Sequence, residues 1–288
     1  MLPGTVLGGR RVDLGALQLG LVDSAGVAWR VGADGLQGWD SAEVRSTVTQ
    51  REAAHGAWIG PSYLGERVIT LGGTIVAPAG AQLDAAVEQL LAAAPLDGYA
   101  TLVVHEAIPK QVSVRQSGKP IVKYETDTVA TWSLLVTAPD PRRYGTDLQA
   151  GTTSLPSTTG GLVLPATVPL TVSATTVSGA IIATNEGTIG THPLLTIAGP
   201  VSSPTITVQY PDGTVAALAY ADTLLTGDVL VLDTDAHTAI LNGTASRRRY
   251  LSGPWPEIPP ASTVRLEFRS AVYNPTATLT ATWRSAWK

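Results

Sequence analysis

Chemistry needs particular side chains at workable spacing, and this sequence offers few. Its four histidines, His55, His105, His192 and His237, sit in unrelated contexts. A nucleophilic triad requires a nucleophile, a base and an orienting acid within hydrogen-bond reach. None of the histidines accompanies a Gly-x-Ser-x-Gly elbow. The run Asp233-Thr234-Asp235-Ala236-His237 has the opening spacing of a calcium loop. It lacks the glycine and the distal glutamate that such a loop uses, so strand, turn, strand with Asp235 in the turn is the simpler reading. Asp84 and Glu88 stand four residues apart, a spacing open to acid–base work, but they fall on the polar face of a helical pattern. Gly8-Gly9 and Gly72-Gly73 are too short to cradle a phosphate. Without cysteine, disulfides and thiolate metal sites are ruled out. No residue is assigned to catalysis, to a cofactor or to a metal, and the expectation is a protein that is not an enzyme and uses no cofactor.

What remains is contact chemistry. Lys110, Arg115, Lys119 and Lys123 fall on a predicted hairpin, and Arg247-Arg248-Arg249 form a run. Such residues serve either as charged strand edges that discourage aggregation or as an electrostatic contact with an acidic partner subunit or passing DNA. Trp255, between Pro254 and Pro256, either stacks on a sugar or plugs the open end of a sandwich. A net charge of −4 and a pI near 5.5 lack the basic footprint of a dedicated nucleic-acid binder. Charged residues make up only 15% of the chain, below the usual ~25%, which suggests that part of the surface meets other subunits instead of water. Met1-Leu2-Pro3-Gly4 does not open a secretory signal. No uncharged apolar run reaches the roughly 18 residues needed to cross a bilayer. A soluble protein folded in a cytoplasm, without membrane contact, is expected.

The elements that would position any surface are mostly strands. Gly 29 and Pro 20, with abundant Thr and Val, point to many short strands separated by turns. Residues 27–31 alternate as a half-buried strand. So do residues 68–76, where Gly72-Gly73 mark a bulge or a close backbone approach. Between Pro78 and Pro95 the pattern changes: Leu83, Val87, Leu90 and Leu91 recur at helical spacing over 81–94. This predicts one amphipathic helix packed on a sheet. Segments 99–106, 111–116 and 121–137 follow as strands, with Ser117-Gly118 as a tight turn between the last two. Segment 121–137 is long enough for two strands or one bent one. The composition of 148–161, Gly, Thr, Ser and Pro, predicts a linker. Strands are predicted beyond it at 168–173, 179–183, 194–197, 205–209, 229–233, 239–241, 264–268 and 277–283. Asp212-Gly213 and Asn242-Gly243 supply turns, and a two-sheet sandwich results. The expected organisation is mainly β: residues 1–147 as an N-terminal β-sandwich or α+β domain with one helix, 148–161 as linker, and 162–288 as a C-terminal β-sandwich.

Two ordered sets of residues carry a family resemblance. The first is Leu36-Gln37-Gly38-Trp39, Val44-Arg45, Arg51 with His55-Gly56-Ala57, Tyr63, Arg67-Val68-Ile69-Thr70-Leu71-Gly72-Gly73, then Asp140-Pro141-Arg142-Arg143-Tyr144. It resembles the N-terminal domain of siphophage distal tail proteins, often called minor tail proteins in phages of actinobacteria. The second runs from Asn185-Glu186-Gly187 through His192-Pro193, Ile197-Ala198-Gly199-Pro200 and Leu225, Gly227-Asp228, Leu232-Asp233-Thr234. It continues with Leu241-Asn242-Gly243 and Trp255 to the close Ala281-Thr282-Trp283-Arg284-Ser285-Ala286-Trp287. It is similar to the galectin-like C-terminal sandwich of the same family.

The resemblance implies a homohexameric ring of N-terminal domains at the virion tail tip, stacked between the tail tube protein and a trimeric hub protein. It implies outward C-terminal domains that hold receptor-binding or side-fibre proteins, and a lumen that passes DNA without specific binding. A six-fold ring on a three-fold hub requires an adaptable segment, expected at 50–65 or in the linker. The competing reading is a carbohydrate-binding adhesin module of a phage tail or cell surface.

Overall fold

The computed structural model describes residues 1–7, 9–160 and 174–288. The chain divides into two compact units, Met1–Thr146 with Lys288, and Asp147–Trp287. No helix among the described residues is long and apolar enough to cross a membrane.

The first unit contains β1 (Val12–Leu14), β2 (Leu17–Leu19), β3 (Ala28–Gln37), β4 (Val44–Gln50), β5 (Ala57–Leu64), β6 (Arg67–Val76), α1 (Gly80–Ala93), β7 (Ala100–Val104), β8 (Lys110–Gln116), β9 (Ile121–Thr126), β10 (Val129–Ala138) and β11 (Arg143–Gly145). Its main sheet runs β2-β1-β7-β8-β10-β6-β3, with β9 against β10 and β11 against β8. β10 forms its spine: Ala130, Trp132, Leu134, Val136 and Ala138 are buried while the residues between them are half-buried. That strict period of two fixes the register, because a one-residue slip would turn the whole apolar set outward.

Just past β2 the chain meets β3 again. The Gly20 amide donates to the Trp29 carbonyl at 2.7 Å, and the Trp29 amide to the Leu21 carbonyl at 2.9 Å. The two outer edges of the sheet are thereby in hydrogen-bond contact, which hides edges that would otherwise invite another chain. β3 and β6 approach so closely that a Cβ on Gly73 would fall 1.9 Å from the Arg30 carbonyl oxygen. Val31 pairs with Gly73 and Leu36 with Leu71, so β3 bulges by residues 32–35 opposite the single Gly72. The glycine pair therefore marks both a close approach and a bulge.

α1 covers this core with Leu83, Ala86, Val87 and Leu90. Leu91, expected on the same face, lies about 100° further round the helix and is exposed, as are Asp84 and Glu88. The helix stops at Ala94, whose extended backbone (φ −108°, ψ 116°) suits a residue before proline. Segment 121–137 holds two strands, and these form their own hairpin. Ser117-Gly118 does not join a hairpin, contrary to expectation. Gln116 instead pairs with Val136 of β10, the Ser117 amide donates to the Leu135 carbonyl, and Gly118 packs on the Leu135 side chain. The chain thus crosses the end of β10 rather than doubling back.

The second unit contains β12 (Gln149–Ser154), β13 (Ser157–Gly160), β14 (Ala174–Val177), β15 (Ala180–Asn185), β16 (Leu194–Ala198), β17 (Val201–Ser202), β18 (Thr205–Gln209), β19 (Val215–Tyr220), β20 (Thr223–Leu224), β21 (Val229–Asp233), β22 (Thr238–Leu241), β23 (Ala245–Ser246), β24 (Leu251–Ser252), β25 (Ser262–Arg269) and β26 (Thr278–Trp283). Its two large sheets run β12-β26-β16-β21-β22-β23 and β15-β25-β18-β19-β24. They share one core, in which Leu195, Leu230 and Leu279 of the first meet Ile206, Leu266 and Phe268 of the second. This is a β-sandwich.

The strand expected at 168–173 lies outside the described residues. Within the segment expected as a linker, residues 149–154 and 157–160 form strands. β12 pairs with β26 along its whole length and β13 pairs with β14. Its threonines suit a strand, and Gly151 is required because a Cβ there would fall 2.4 Å from the Ile181 side chain.

Candidate functional site

A group of exposed apolar residues of the first unit lies on β4 and β5. Among the described residues these strands pair only with each other, forming a two-stranded arm. Trp58 is 65% exposed, Ile59 72% and Tyr63 66%. Scattered exposed apolar residues are ordinary, but a contiguous set marks an interaction surface. Strand register sorts the arm into two faces. Val44 opposes Leu64 and Val48 opposes Ile59 on one face, while Arg45 opposes Tyr63 and Thr49 opposes Trp58 on the other. The Arg51 guanidinium stacks 4.3 Å over the Trp58 ring. A bulge sets Gly60 and Pro61 against Thr47, which keeps proline, lacking a donor, out of the regular ladder.

An isolated two-stranded ribbon is marginally stable in water, so its root matters. Where β3 passes into the arm, Gly38 adopts φ +82°, and a Cβ there would fall 2.0 Å from the Val68 carbonyl oxygen. The Gly65 amide donates to the Glu43 carbonyl at 2.7 Å and closes the base. Arg67, the first residue after the arm in β6, is fully buried. Its Nε donates to the Pro141 carbonyl at 2.9 Å, and one terminal nitrogen to the carbonyls of Trp39 at 2.6 Å and Gly38 at 3.3 Å. Its other terminal nitrogen has no hydrogen-bond partner among the described residues. Burial, with the nearby Arg143 charge second, lowers the Arg67 pKa to about 10.

Trp39, also fully buried, donates from Nε1 to Glu106 at 2.6 Å. Lys110 donates to the other Glu106 oxygen at 2.6 Å, and Arg10 lies 3.3 Å from the first. Burial pushes the Glu106 carboxyl up, but hydrogen bonds from Lys110 and Trp39, with the charges of Lys110 and Arg10, hold it below its ordinary value. The turn that offers Pro141 to Arg67 is held by Asp140, which accepts from the Arg142 amide at 3.0 Å and from the Tyr144 hydroxyl at 2.6 Å. Burial and then the Asp140 charge raise the Tyr144 pKa above its usual range.

In the second unit the corresponding centre is Asn185, also fully buried. Its amide nitrogen donates to the carbonyls of Ile189 at 2.8 Å, Ile258 at 3.2 Å and Pro259 at 3.2 Å. Its oxygen accepts from the Gly187 amide at 3.0 Å and the Ala286 amide at 3.1 Å. Thr191 and Ser285 add bonds to Arg284 and Glu186 in the same loop cluster. These motif residues staple loops rather than perform chemistry.

The histidines remain apart. His55 lies in the exposed tip of the arm. His105 Nε2 sits 2.8 Å from Asp13, whose carboxylate also receives Arg11. His192 lies 3.3 Å from Asp235, and His237 stacks on Trp255 at 5.1 Å. Asp235 lies in the 234–237 turn as expected, and Asp233 accepts from the amides of Asp235 and Ala236. Among the described residues no group of three or more His, Asp or Glu could hold a metal ion. Lys110 and Lys123 are engaged with Glu106 and Glu125, and Trp255 packs against the sandwich core.

Sequence reasoning missed the arm and the roles of Arg67, Trp39 and Glu106. The available signal was an arginine that opens an alternating strand in register with its core-facing residues Ile69 and Leu71.

No protein-family model matches the chain, and no curated protein matches it by sequence. Among solved structures, the Dit protein (gp 19.1) of phage SPP1, described as a paradigm of hub adsorption apparatus in phages infecting Gram-positive bacteria, aligns with a TM-score of 0.57. Sequence identity is 13%, over 90% of this chain and 94% of that one. Two structures of the phage P2 baseplate in its activated conformation, with Ca and with Sr, align at TM-scores of 0.47 and 0.45 and 10% identity. They cover 96% of this chain and 99% and 98% of theirs. By its strand architecture, the chain has the fold of the SPP1 Dit protein.

Proposed function

We propose that this chain is a non-catalytic structural subunit of a bacteriophage tail tip, a distal tail protein whose copies close into a hexameric ring between the tail tube and a trimeric hub. The arm carries the proposal. It is a ribbon with solvent on both faces, with Trp58, Ile59 and Tyr63 exposed, and its root is fixed by a buried arginine. Such a surface gains stability when a neighbouring copy covers it, and heterologous contacts that close produce rings. The fold likeness to SPP1 Dit supports the same reading.

In this account the first unit forms the ring and the second holds receptor-binding or side-fibre proteins at the virion tail tip. DNA passes through the lumen without specific contacts, and no membrane is involved. The adaptation of a six-fold ring to a three-fold hub falls to the arm, since residues 149–154 and 157–160 are engaged in strands. Negative-stain imaging and native mass measurement of the purified full chain test the reading. Six-fold rings of six times 29.8 kDa are expected. A chain that stays monomeric up to its solubility limit overturns the proposal.

A further inference from the structure

The second unit carries an arginine–aromatic cluster. Arg248, Arg249 and Tyr250 form a single 3-10 turn. The Arg247 amide ties the turn to Ala239 of β22 at 2.8 Å, and the Ala221 amide donates to the Tyr250 carbonyl at 2.9 Å. The Arg249 guanidinium lies 4.7 Å from the Tyr250 ring centroid and donates to its hydroxyl at 2.6 Å. The Arg248 guanidinium lies 5.0 Å from the Trp255 ring, on which His237 also stacks, with an interplanar angle of 10°. Arg248 and Arg249 are exposed, and among the described residues neither forms an ion pair with a carboxylate.

Held against ring planes on a turn bonded to β22 and to the loop residue Ala221, these guanidiniums lose little freedom when they bind. Each presents planar donors matched to a carboxylate. We propose that this cluster is a docking site for a carboxylate-rich segment of a partner protein. Arginine, tyrosine and tryptophan together are the residues that carry binding energy at protein interfaces. An extended polyanion fits less well, because it requires a row of cations. Of the three arginines in the run only Arg248 and Arg249 are exposed, and the third, Arg247, faces the opposing charge of Asp228. The inference stands on this geometry and is independent of the ring.

The test titrates the full chain with a fluorescein-labelled peptide of alternating glutamate and glycine, and separately with oligothymidylate of matched charge. The peptide is expected to bind in a salt-sensitive manner. The double variant Arg248→Ala/Arg249→Ala should weaken that binding by about tenfold or more. The variant Arg248→Lys/Arg249→Lys, which keeps the charge and loses the planar fork, should bind at an intermediate level. Near-UV circular dichroism of each variant confirms that the sandwich is intact. Equal peptide binding by the double alanine variant, no peptide binding by the parent chain, or tighter binding of the oligonucleotide overturns the proposal.

Discussion

Arg67 and Asn185 occupy equivalent roles in the two units and solve them differently. Each is fully buried and each gathers backbone groups from segments far apart in sequence. Asn185 is neutral, and both ends of its amide are bonded: its nitrogen reaches three carbonyls and its oxygen accepts two amides. Arg67 brings a charge into the interior and leaves one terminal nitrogen without a partner among the described residues. A buried charge is expensive and adds little net stability, but it specifies which groups meet. The neutral hub closes loops around a finished sandwich. The charged hub fixes the root of an arm whose faces are left open.

The largest effect expected from breaking this comparison is at Asn185. Asn185→Leu strands buried carbonyls and amides at once and should destabilise the second unit by about 3–4 kcal/mol. Urea denaturation followed with probes in each unit should show the first unit unchanged. Arg67→Met removes the charge together with its bonds, so the loss is partly offset, to about 2–3 kcal/mol in the first unit. In that variant, amide exchange should accelerate across β4 and β5 well before it does in β10.

Titration with acid gives a smaller effect. A carboxyl held below its ordinary value stabilises the fold above the unfolded-state value, near 4.5 for Glu106. This contribution disappears as pH falls through the lower folded value. The first unit should therefore lose stability below about pH 4.5, and Glu106→Gln should flatten that acid limb without shifting the second unit. Smallest of all is Trp58→Ala. An exposed arm residue contributes little to the isolated fold, so the midpoint of unfolding should move by less than about 0.5 kcal/mol. A large shift would mean that the arm packs on its own unit.

Much of the fold was legible in the sequence because burial on one face writes a period. β6, β10, α1 and most strands of the sandwich follow alternation or helical spacing of apolar residues. The arm was hidden for the opposite reason. With neither face buried, Val44 to Gln50 and Ala57 to Leu64 carry no consistent alternation, and Gly56, Gly60 and Pro61 suggest a loop. β12 was hidden by composition, since threonine and glycine suit both a linker and an edge strand that passes close to Ile181. The hubs could not be read at all: Arg67 and Pro141, or Asn185 and Ala286, meet only in the fold. Ser117-Gly118 shows that a good turn dipeptide does not specify which strands it joins.

The central claim is that the arm joins copies of this chain. Native mass spectrometry of the parent and of Ile59→Asp, measured side by side at one concentration, tests it directly. The account predicts a six-fold assembly for the parent and the 29.8 kDa monomer for the variant, with matching unfolding midpoints. A variant that assembles as fully as the parent would contradict it.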